Sequence, residues 1–202
     1  MTHADTPRHV LRDRLTEKRR QLGPTERIQA ARGLRRSLEQ LPEFMTDERI
    51  AGYWACAGEL PLNLVMASLA ERGQDFYLPV IAAQRQMRFA PWRIGDDITP
   101  NRHGIPEPVR QDKTIPPPLL DVVLVPLVGF DRRGNRLGFG GGYYDASFAF
   151  LRDEKRPATP LLVGIGYAFQ ELDALDVEPW DIRLDYIATE NELIDCTEPE
   201  NP

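Results

Sequence analysis

The sequence predicts an α/β protein: an open, mostly parallel sheet with helices on both faces, preceded by an N-terminal pair of helices. From Ile50 onward, short apolar runs bounded by Gly, Pro or Asp alternate with helix-length stretches, a pattern typical of parallel strands joined by helical crossovers. The run Val122–Val125 is apolar at every position, as a central strand covered on both faces requires. Composition agrees, because 202 residues with 42% apolar and 28% charged side chains are typical of a globular protein.

Residues 6–41 predict two helices separated at Gly23-Pro24. We expect Thr6 to cap the first helix, with Pro7 at its first position, and Thr25 to cap the second. This segment is rich in arginine although the chain as a whole is acidic. Three interpretations stay open: a solvated surface, a surface for a partner protein, or a site for a phosphate-bearing small molecule.

The rest of the chain predicts the sheet and its crossovers. Strands are expected at 50–54, 76–81, 87–92, 122–128, 161–166 and 186–189, and helices at 62–71 and 143–151. The proline-rich connection 93–120 is expected to lie over the surface, and a place beside a site is left open. We predict one domain over residues 1–202, with a frayed polar tail at 197–202.

Charge and cysteine content exclude several functional classes. A net charge of −6 disfavours a broad nucleic-acid surface. No apolar run approaches the roughly 20 residues of a membrane helix, and the first residues lack the apolar core of a secretory signal. Two cysteines without a CxxC pair and three histidines disfavour a disulfide framework or a zinc site. We therefore expect a cytoplasmic protein without nucleic-acid or membrane partners, a monomer in the simplest case, with a dimer left open.

The most informative stretch is VPLVGFDRRGNRLGFGGGYYD, from Val125 to Asp145. It predicts a buried strand, a polar turn, a glycine loop (residues 138–142) and the start of a helix. Glycines allow an oxyanion to approach the backbone closely, and the N–H groups and dipole of a following helix favour negative charge. A tight crossover without a ligand is the alternative. Arg136 favours a phosphate, whereas neither the P-loop nor the dinucleotide fingerprint matches the spacing.

Several further positions are candidates for chemistry, and each has a plainer explanation. Asp145 is either a first-turn acid that complements the helix dipole or a ligand for Mg²⁺. Arg8 and Arg12 share one helix face, which is either solvated or anion-binding. Glu59 follows the first strand, where open α/β sheets bind their ligands, although an exposed loop acid is the alternative. His103 is interpreted as a loop residue.

NRLGFGGGYYD, preceded by VPLVGFD, resembles the signature of the 5-formyltetrahydrofolate cyclo-ligase (methenyltetrahydrofolate synthetase) family. The similarity continues through RHVLR in the first helix, Gly58-Glu59, YLP at 77–79, GIPEP at 104–108 and Trp180-Asp181. It implies an enzyme that uses ATP and Mg²⁺ to cyclise 5-formyltetrahydrofolate to 5,10-methenyltetrahydrofolate, releasing ADP and phosphate. The formyl oxygen would be phosphorylated first, and N10 would then close the ring. The folate is the implied partner, and the number of its glutamates is left open.

The resemblance also implies roles for individual residues. Arg136, Tyr143 and Glu59 would be catalytic, and Asp145 and Asp181 would hold Mg²⁺. ATP would be bound by Arg8, Arg12, Arg136, Leu137, Gly138, Phe139, Gly140, Gly141, Gly142, Tyr143 and Tyr144. The folate would contact Trp54, Glu59, Phe139, Gly140, Gly141, Gly142 and Tyr143.

The chain departs from the family pattern at three places. Arg8 stands where the family usually has Lys, Leu60-Pro61-Leu62 replaces a second acid and Thr after Glu59, and Ala146 replaces a frequent Arg. A catalytically silent folate- or nucleotide-binding protein on the same scaffold is therefore one alternative. A sugar-phosphate isomerase of similar architecture is another. The retained phosphate cations and acids favour the enzyme over the silent protein, and an isomerase would leave the basic first helix without a role.

Overall fold

A computed structural model describes residues 6–197 and has the predicted α/β architecture. The strands are β1 (Arg49–Ala51), β2 (Asp75–Ile81), β3 (Met87–Pro91), β4 (Ile98–Pro100), β5 (Pro106–Pro108), β6 (Val122–Pro126), β7 (Gly129–Phe130), β8 (Arg136–Leu137), β9 (Leu161–Ile165), β10 (Tyr186–Ala188) and β11 (Leu193–Asp195). Seven form a sheet in the order β11-β10-β9-β6-β1-β2-β3. Only the edge strands β3 and β11 run antiparallel to their neighbours, so the mostly parallel sheet is confirmed. Of the predicted frayed tail, only Thr197 lies within the described residues.

The helices are α1 (Arg8–Arg20), α2 (Pro24–Leu38), α3 (Pro42–Thr46), α4 (Asn63–Arg72) and α5 (Tyr143–Ser147). The predicted N-terminal pair is present, but both predicted caps are wrong. The N-cap residues are Pro7 and Gly23, one position later than Thr6 and two earlier than Thr25. In α2 this follows from Pro24, which takes the first helical position because its missing N–H costs nothing there.

Two apolar clusters cover the two faces of the sheet. Val122 and Leu124 pack under α2, α3 and α4, whereas Val123 and Val125 pack on the opposite face. This alternation follows the strand period of two, and burial on both sides explains why the run is apolar at every position. The second face is covered by α5, by loops and by a 3-10 turn at Ala149–Leu151. The helix predicted over 143–151 is thus broken after α5.

The strand order places a crevice beside β1. From β1 the chain crosses to β2 on one side, and from β6 it crosses to β9 on the other. Loops that leave the carboxyl ends of β1 and β6 therefore diverge, and such a switch point is where open α/β sheets bind ligands. Both strands are shorter than predicted, ending at Ala51 and Pro126. The residues that were predicted as strand beyond these two ends belong to the loops that flank the crevice, and they make both loops longer.

The proline-rich connection 93–120 is ordered by the β4–β5 hairpin and by a 3-10 turn at Pro117–Leu119. Glu107 on β5 is buried and accepts the Ile81 N–H at 2.9 Å. Because Ile81 is the last residue of β2, this bond fixes the hairpin beside the carboxyl end of the sheet. Among the helices of residues 6–197, none combines the length and apolar character that crossing a bilayer requires.

The close approach of α2 to the loop after β10 gives a stability prediction. A Cβ on Gly33 would lie 2.2 Å from the backbone oxygen of Glu190. Alanine ordinarily stabilises a helix interior by about 1 kcal/mol relative to glycine. We expect Gly33→Ala instead to lower the free energy of unfolding by about 1–3 kcal/mol, because the helix must shift. Urea denaturation measures the change. Arg32→Ala, on the exposed side of α2, is the control, and a Gly33→Ala variant as stable as wild type contradicts the prediction.

Candidate functional site

A cavity of about 640 Å³ opens at the carboxyl ends of β1 and β6, within the size range of small-molecule sites. Its walls come from α1, the loop after β1, the β2–β3 hairpin, the β4–β5 hairpin, the glycine loop with the start of α5, and residues 178–181. Segments far apart in sequence therefore converge on one space. The sequence left open whether Glu59 lies at the ligand-binding edge of the sheet or is an exposed loop acid, and the structure brings it together with the glycine loop here.

Two ion pairs line this cavity. Arg8 Nη1 lies 2.8 Å from Asp181 Oδ2, and Arg136 Nη2 lies 2.6 Å from Asp145 Oδ1. Each pair joins a cation to which the family resemblance assigns a phosphate with a carboxylate to which it assigns Mg²⁺. Within residues 6–197, no group of three or more His, Cys, Asp or Glu side chains has the arrangement of a metal site. One arginine can donate from five N–H groups, so pairing with one carboxylate oxygen leaves donors for a further anion.

Arg12 holds the glycine loop against α1. Its Nε donates to the carbonyl oxygen of Gly138 at 2.7 Å. Burial and the neighbouring charge of Arg8 lower the pKa of Arg12. Gly140 and Gly142 have φ of 97° and 68°, a region that glycine adopts without steric cost. The loop is therefore bent tightly beside a guanidinium group.

The backbone of the glycine loop, rather than the helix after it, supplies the potential anion contacts. α5 has only five residues, so the expected helix-dipole contribution is small. In the described part of the chain, the amide N–H groups from Gly140 to Tyr143 have no protein acceptor. Such a row of free N–H groups in a bend with positive φ is a backbone nest, which favours anions.

Glu59 presents a desolvated carboxyl group to the same cavity. It closes a tight turn in which its N–H donates to Cys56 O at 3.0 Å and its Oε2 accepts the Cys56 N–H at 2.8 Å. Ala57 and Gly58 at the centre of this turn both have positive φ, 47° and 80°. Burial raises the pKa of Glu59 to about 7, although the bond from Cys56 and the charge of Arg19 act in the opposite direction.

Aromatic residues form much of the remaining wall. Trp54 lies in the loop after β1 rather than in the strand, and it meets Trp92 edge to face with ring centroids 5.6 Å apart. Phe139 is exposed in the glycine loop, and Tyr143 begins α5. Tyr144 lines the cavity with its hydroxyl buried and without a protein partner among residues 6–197.

Leu137 does not reach the cavity. Its side chain is fully buried in a small cluster with Leu11, Leu15 and Val128, which packs α1 against the β7–β8 hairpin. The structure thus brings together every other residue that the sequence assigned to the site, and it places Leu137 behind the wall.

Two functional features carried no recognised signal in the sequence. Arg19 is fully buried and donates to the carbonyl oxygens of Ala57 at 3.1 Å and Leu127 at 3.4 Å. The signal that could have identified Arg19 is its position on the buried face of α1, one turn after Leu15. The second feature is the β4–β5 turn, from which His103 reaches the cavity. His103 lies in a loop as predicted; the open possibility that the connection 93–120 lies beside a site and the nearby GIPEP match pointed to this region, but not to His103 itself.

Comparison with known proteins agrees with this geometry. The sequence model of the 5-formyltetrahydrofolate cyclo-ligase family matches residues 4–190. The chain belongs to this family. A 5-formyltetrahydrofolate cyclo-ligase from Haemophilus influenzae is 29% identical over 180 residues, which cover 88% of this chain and 94% of the relative. One from Escherichia coli is 28% identical over 182 residues, with coverage of 89% and 98%.

Solved structures of the family share the fold. The solution structure of 5,10-methenyltetrahydrofolate synthetase from Aquifex aeolicus superimposes with a TM-score of 0.80 and 28% identity, covering 96% of this chain and 95% of that one. The predicted cyclo-ligase family is confirmed, and so is the prediction that the chain is an enzyme of the ligase class.

The raised pKa of Glu59 predicts a pH-dependent stability. Between the ordinary pKa of 4.5 and about 7, the folded protein binds the Glu59 proton more tightly than the unfolded chain does. Raising the pH through this window therefore lowers the free energy of unfolding, by up to about 3 kcal/mol at 1.36 kcal/mol per pKa unit. Glu59→Gln removes this loss, so we expect the variant to gain stability relative to wild type as the pH rises.

Urea denaturation at pH 5 and pH 8 measures this difference. Glu71→Gln is the matched control, because Glu71 is exposed on α4. A stability difference between Glu59→Gln and wild type that is the same at both pH values contradicts the assignment.

Proposed function

We propose that this cyclo-ligase family member cyclises 5-formyltetrahydrofolate to 5,10-methenyltetrahydrofolate at the expense of ATP, within the cavity at β1 and β6. The proposal rests on two features that line the same cavity. One is a cationic wall with free backbone N–H groups, and the other is the desolvated carboxyl group of Glu59. The first suits a polyphosphate, and the second suits the N–H edge of a heterocycle.

The reaction needs activation because a formamide oxygen is a poor leaving group. The γ-phosphoryl group moves to the formyl oxygen, its bond to the β-phosphate oxygen breaks, and ADP is left. N10 then attacks the formyl carbon, the carbon–oxygen bond to phosphate breaks, and N10 loses its proton as the methenyl ring closes. Positioning and charge neutralisation supply most of the catalysis in such a transfer.

Arg8, Arg12 and Arg136 are the residues that would bind the phosphates of ATP. Arg8 has the charge of the usual lysine but a planar, forked group, and its pairing with Asp181 keeps it at the cavity wall. Arg136 is almost fully buried, and its guanidinium lies 5.7 Å from the ring centroid of Tyr144. At these positions the guanidinium groups can make bidentate hydrogen bonds to phosphate oxygens while negative charge shifts during phosphoryl transfer.

Asp145 and Asp181 fit Mg²⁺ when it arrives with a nucleotide. Both line the cavity, and Asp145 Oδ1 also accepts the N–H of Ile182 at 3.2 Å, which puts the two carboxylates on adjoining parts of the wall. Nucleotide-bound Mg²⁺ commonly takes one or two carboxylates and completes its octahedron with phosphate oxygens and water. When bound, the ion would neutralise charge on the phosphates.

The folate is expected to bind along the aromatic wall that ends at Glu59. Trp54, Phe139 and Tyr143 offer apolar surface for its rings, and the Glu59 carboxyl accepts from the pterin N–H edge. The loop Leu60-Pro61-Leu62, which departs from the family pattern, has both leucines buried. It therefore supports the Glu59 turn from the core and adds no second acid to the site. Both cysteines are free thiols, consistent with a place in a reducing cytoplasm.

The direct test follows the near-ultraviolet absorbance of methenyltetrahydrofolate. Purified protein is mixed with 5-formyltetrahydrofolate, and ATP and Mg²⁺ are each supplied or omitted. We expect an absorbance increase that requires both. Saturable binding of ATP or folate without any turnover would instead support the silent binding protein, and turnover without ATP would contradict the proposed mechanism.

Arg136→Ala tests the phosphate contact. Loss of a buried donor to the transferring group is expected to remove about 2–4 kcal/mol of transition-state stabilisation, measured through kcat/KM. Arg20→Ala is the control, since Arg20 is exposed on α1 and pairs with Glu17, which is also exposed. Arg136→Lys keeps the charge and should retain part of the activity. A wild-type kcat/KM in Arg136→Ala contradicts the assignment.

Glu59→Gln tests the folate contact. The amide cannot accept from the pterin edge with a full carboxylate charge, so we expect the KM for 5-formyltetrahydrofolate to rise far more than the KM for ATP. Steady-state kinetics with one substrate varied at a time measure both values. Equal increases would place Glu59 away from the folate.

A further inference from the structure

Two walls of the cavity, the β4–β5 hairpin and the glycine loop with Tyr143, meet at one hydrogen bond. The Tyr143 hydroxyl and His103 Nε2 lie 3.1 Å apart, and the two rings pack edge to face with centroids 6.1 Å apart. Both side chains line the cavity. Within the described chain, no other hydrogen bond joins residues 98–108 to residues 138–143.

The neighbouring arginine shows the direction of this bond. Arg102 Nε donates to the same His103 Nε2 at 3.2 Å. A guanidinium N–H can only donate, so Nε2 is an acceptor, and the ring has the neutral form with its hydrogen on Nδ1. This tautomer is inferred from the hydrogen-bond network. The Tyr143 hydroxyl therefore also donates to Nε2, and the two donors share the single lone pair of that nitrogen.

The hairpin side of this contact is firmly held. Asn101 Oδ1 accepts the N–H groups of His103 at 2.8 Å and Ile105 at 3.1 Å, and Asn101 Nδ2 donates to Glu107 at 2.8 Å. The same Glu107 oxygen accepts the N–H of Ile81 at the end of β2. A chain of hydrogen bonds thus connects the turn that carries His103 to the central sheet.

The tyrosine side is held by apolar packing rather than by a chain of hydrogen bonds, because Tyr143 is partly buried against the cluster that α5 covers. Tyr143 follows the glycine loop directly, after Gly142 with φ of 68°, and Gly140 and Gly141 are exposed. A tyrosine beside such a loop has rotamer freedom that a ligand must restrict on binding. Ordering such a side chain on binding lowers the affinity for the ligand. The bond to His103 removes that freedom in advance.

We propose that His103 is a positioning residue, which holds Tyr143 against the cavity through its neutral Nε2 and so orders the wall that contacts the folate. The inference rests on the proposed function, because it assigns Tyr143 to the folate wall. It extends that function by giving the β4–β5 turn a share in substrate affinity, although that turn carries no catalytic group.

The test is a double-mutant cycle with a conservative rescue. His103→Phe keeps the aromatic ring and removes the acceptor, Tyr143→Phe removes the donor, and His103→Gln restores an acceptor oxygen. His9→Phe is the matched control, because His9 is exposed on α1 and does not line the cavity. Titration calorimetry measures the Kd for 5-formyltetrahydrofolate, and thermal unfolding shows whether each variant is folded.

We expect His103→Phe and Tyr143→Phe each to raise this Kd by about 3- to 10-fold, the value of one hydrogen bond and one ordered side chain. The double variant should bind no more than about 2-fold more weakly than the weaker single variant, and His103→Gln should bind nearly as tightly as wild type. Penalties that multiply in the double variant, or a wild-type Kd in His103→Phe, overturn the inference.

The same experiment separates this inference from the proposed function. Wild-type protein that binds no 5-formyltetrahydrofolate overturns both. Wild-type protein that binds and cyclises it, together with an unaffected His103→Phe variant, overturns only the role of His103.

Discussion

The functional cavity depends on one buried cation, Arg19. Its guanidinium donates to backbone carbonyls in two different loops, after β1 and after β6, and lies 5.1 Å from the ring centroid of Phe139 in the glycine loop. A buried charge is costly unless its surroundings compensate it. Here carbonyl oxygens, an aromatic face and the nearby charge of Glu59 compensate it in part; burial still lowers the pKa of Arg19, and its Nη2 has no protein partner among residues 6–197. α1 is therefore fixed where Arg8 and Arg12 reach the site.

The sheet and Arg19 act together. Reversal of the strand order at β1 and β6 separates the two loops, and Arg19 then limits how far they separate. The turn that carries Glu59 has positive φ at Ala57, the residue whose carbonyl accepts from Arg19. A residue keeps such a rarely populated backbone conformation where several surrounding contacts fix it. The buried carboxyl and the cationic wall are consequently held in one space before any ligand arrives.

Local sequence patterns were sufficient for most of the fold. Continuous apolar runs predicted the central strands because burial on both faces leaves no polar position. Glycine spacing predicted the loop at 138–142 because positive φ is a local requirement. Errors occurred where two local preferences competed: Pro24 took the first position of α2, so Thr25 became part of the helix instead of its cap. Strand ends were also misplaced: β1 ends at Ala51, although its parallel partners β2 and β6 continue beyond Tyr77 and Val123, the residues paired with Ala51.

What the sequence by itself determined is the fold class, the glycine loop, the shared face of Arg8 and Arg12, and the family to which the chain belongs. These follow from periodicity, backbone conformation and short motifs, all of which act over a few residues. Tertiary structure alone decided that Arg19 is buried, that Arg8 and Arg136 pair with Asp181 and Asp145, and that the pKa of Glu59 is raised. Each of these depends on how much water is excluded from a side chain and on which charged groups lie near it. Both are set by segments that are far apart in sequence and that only the folded chain brings together.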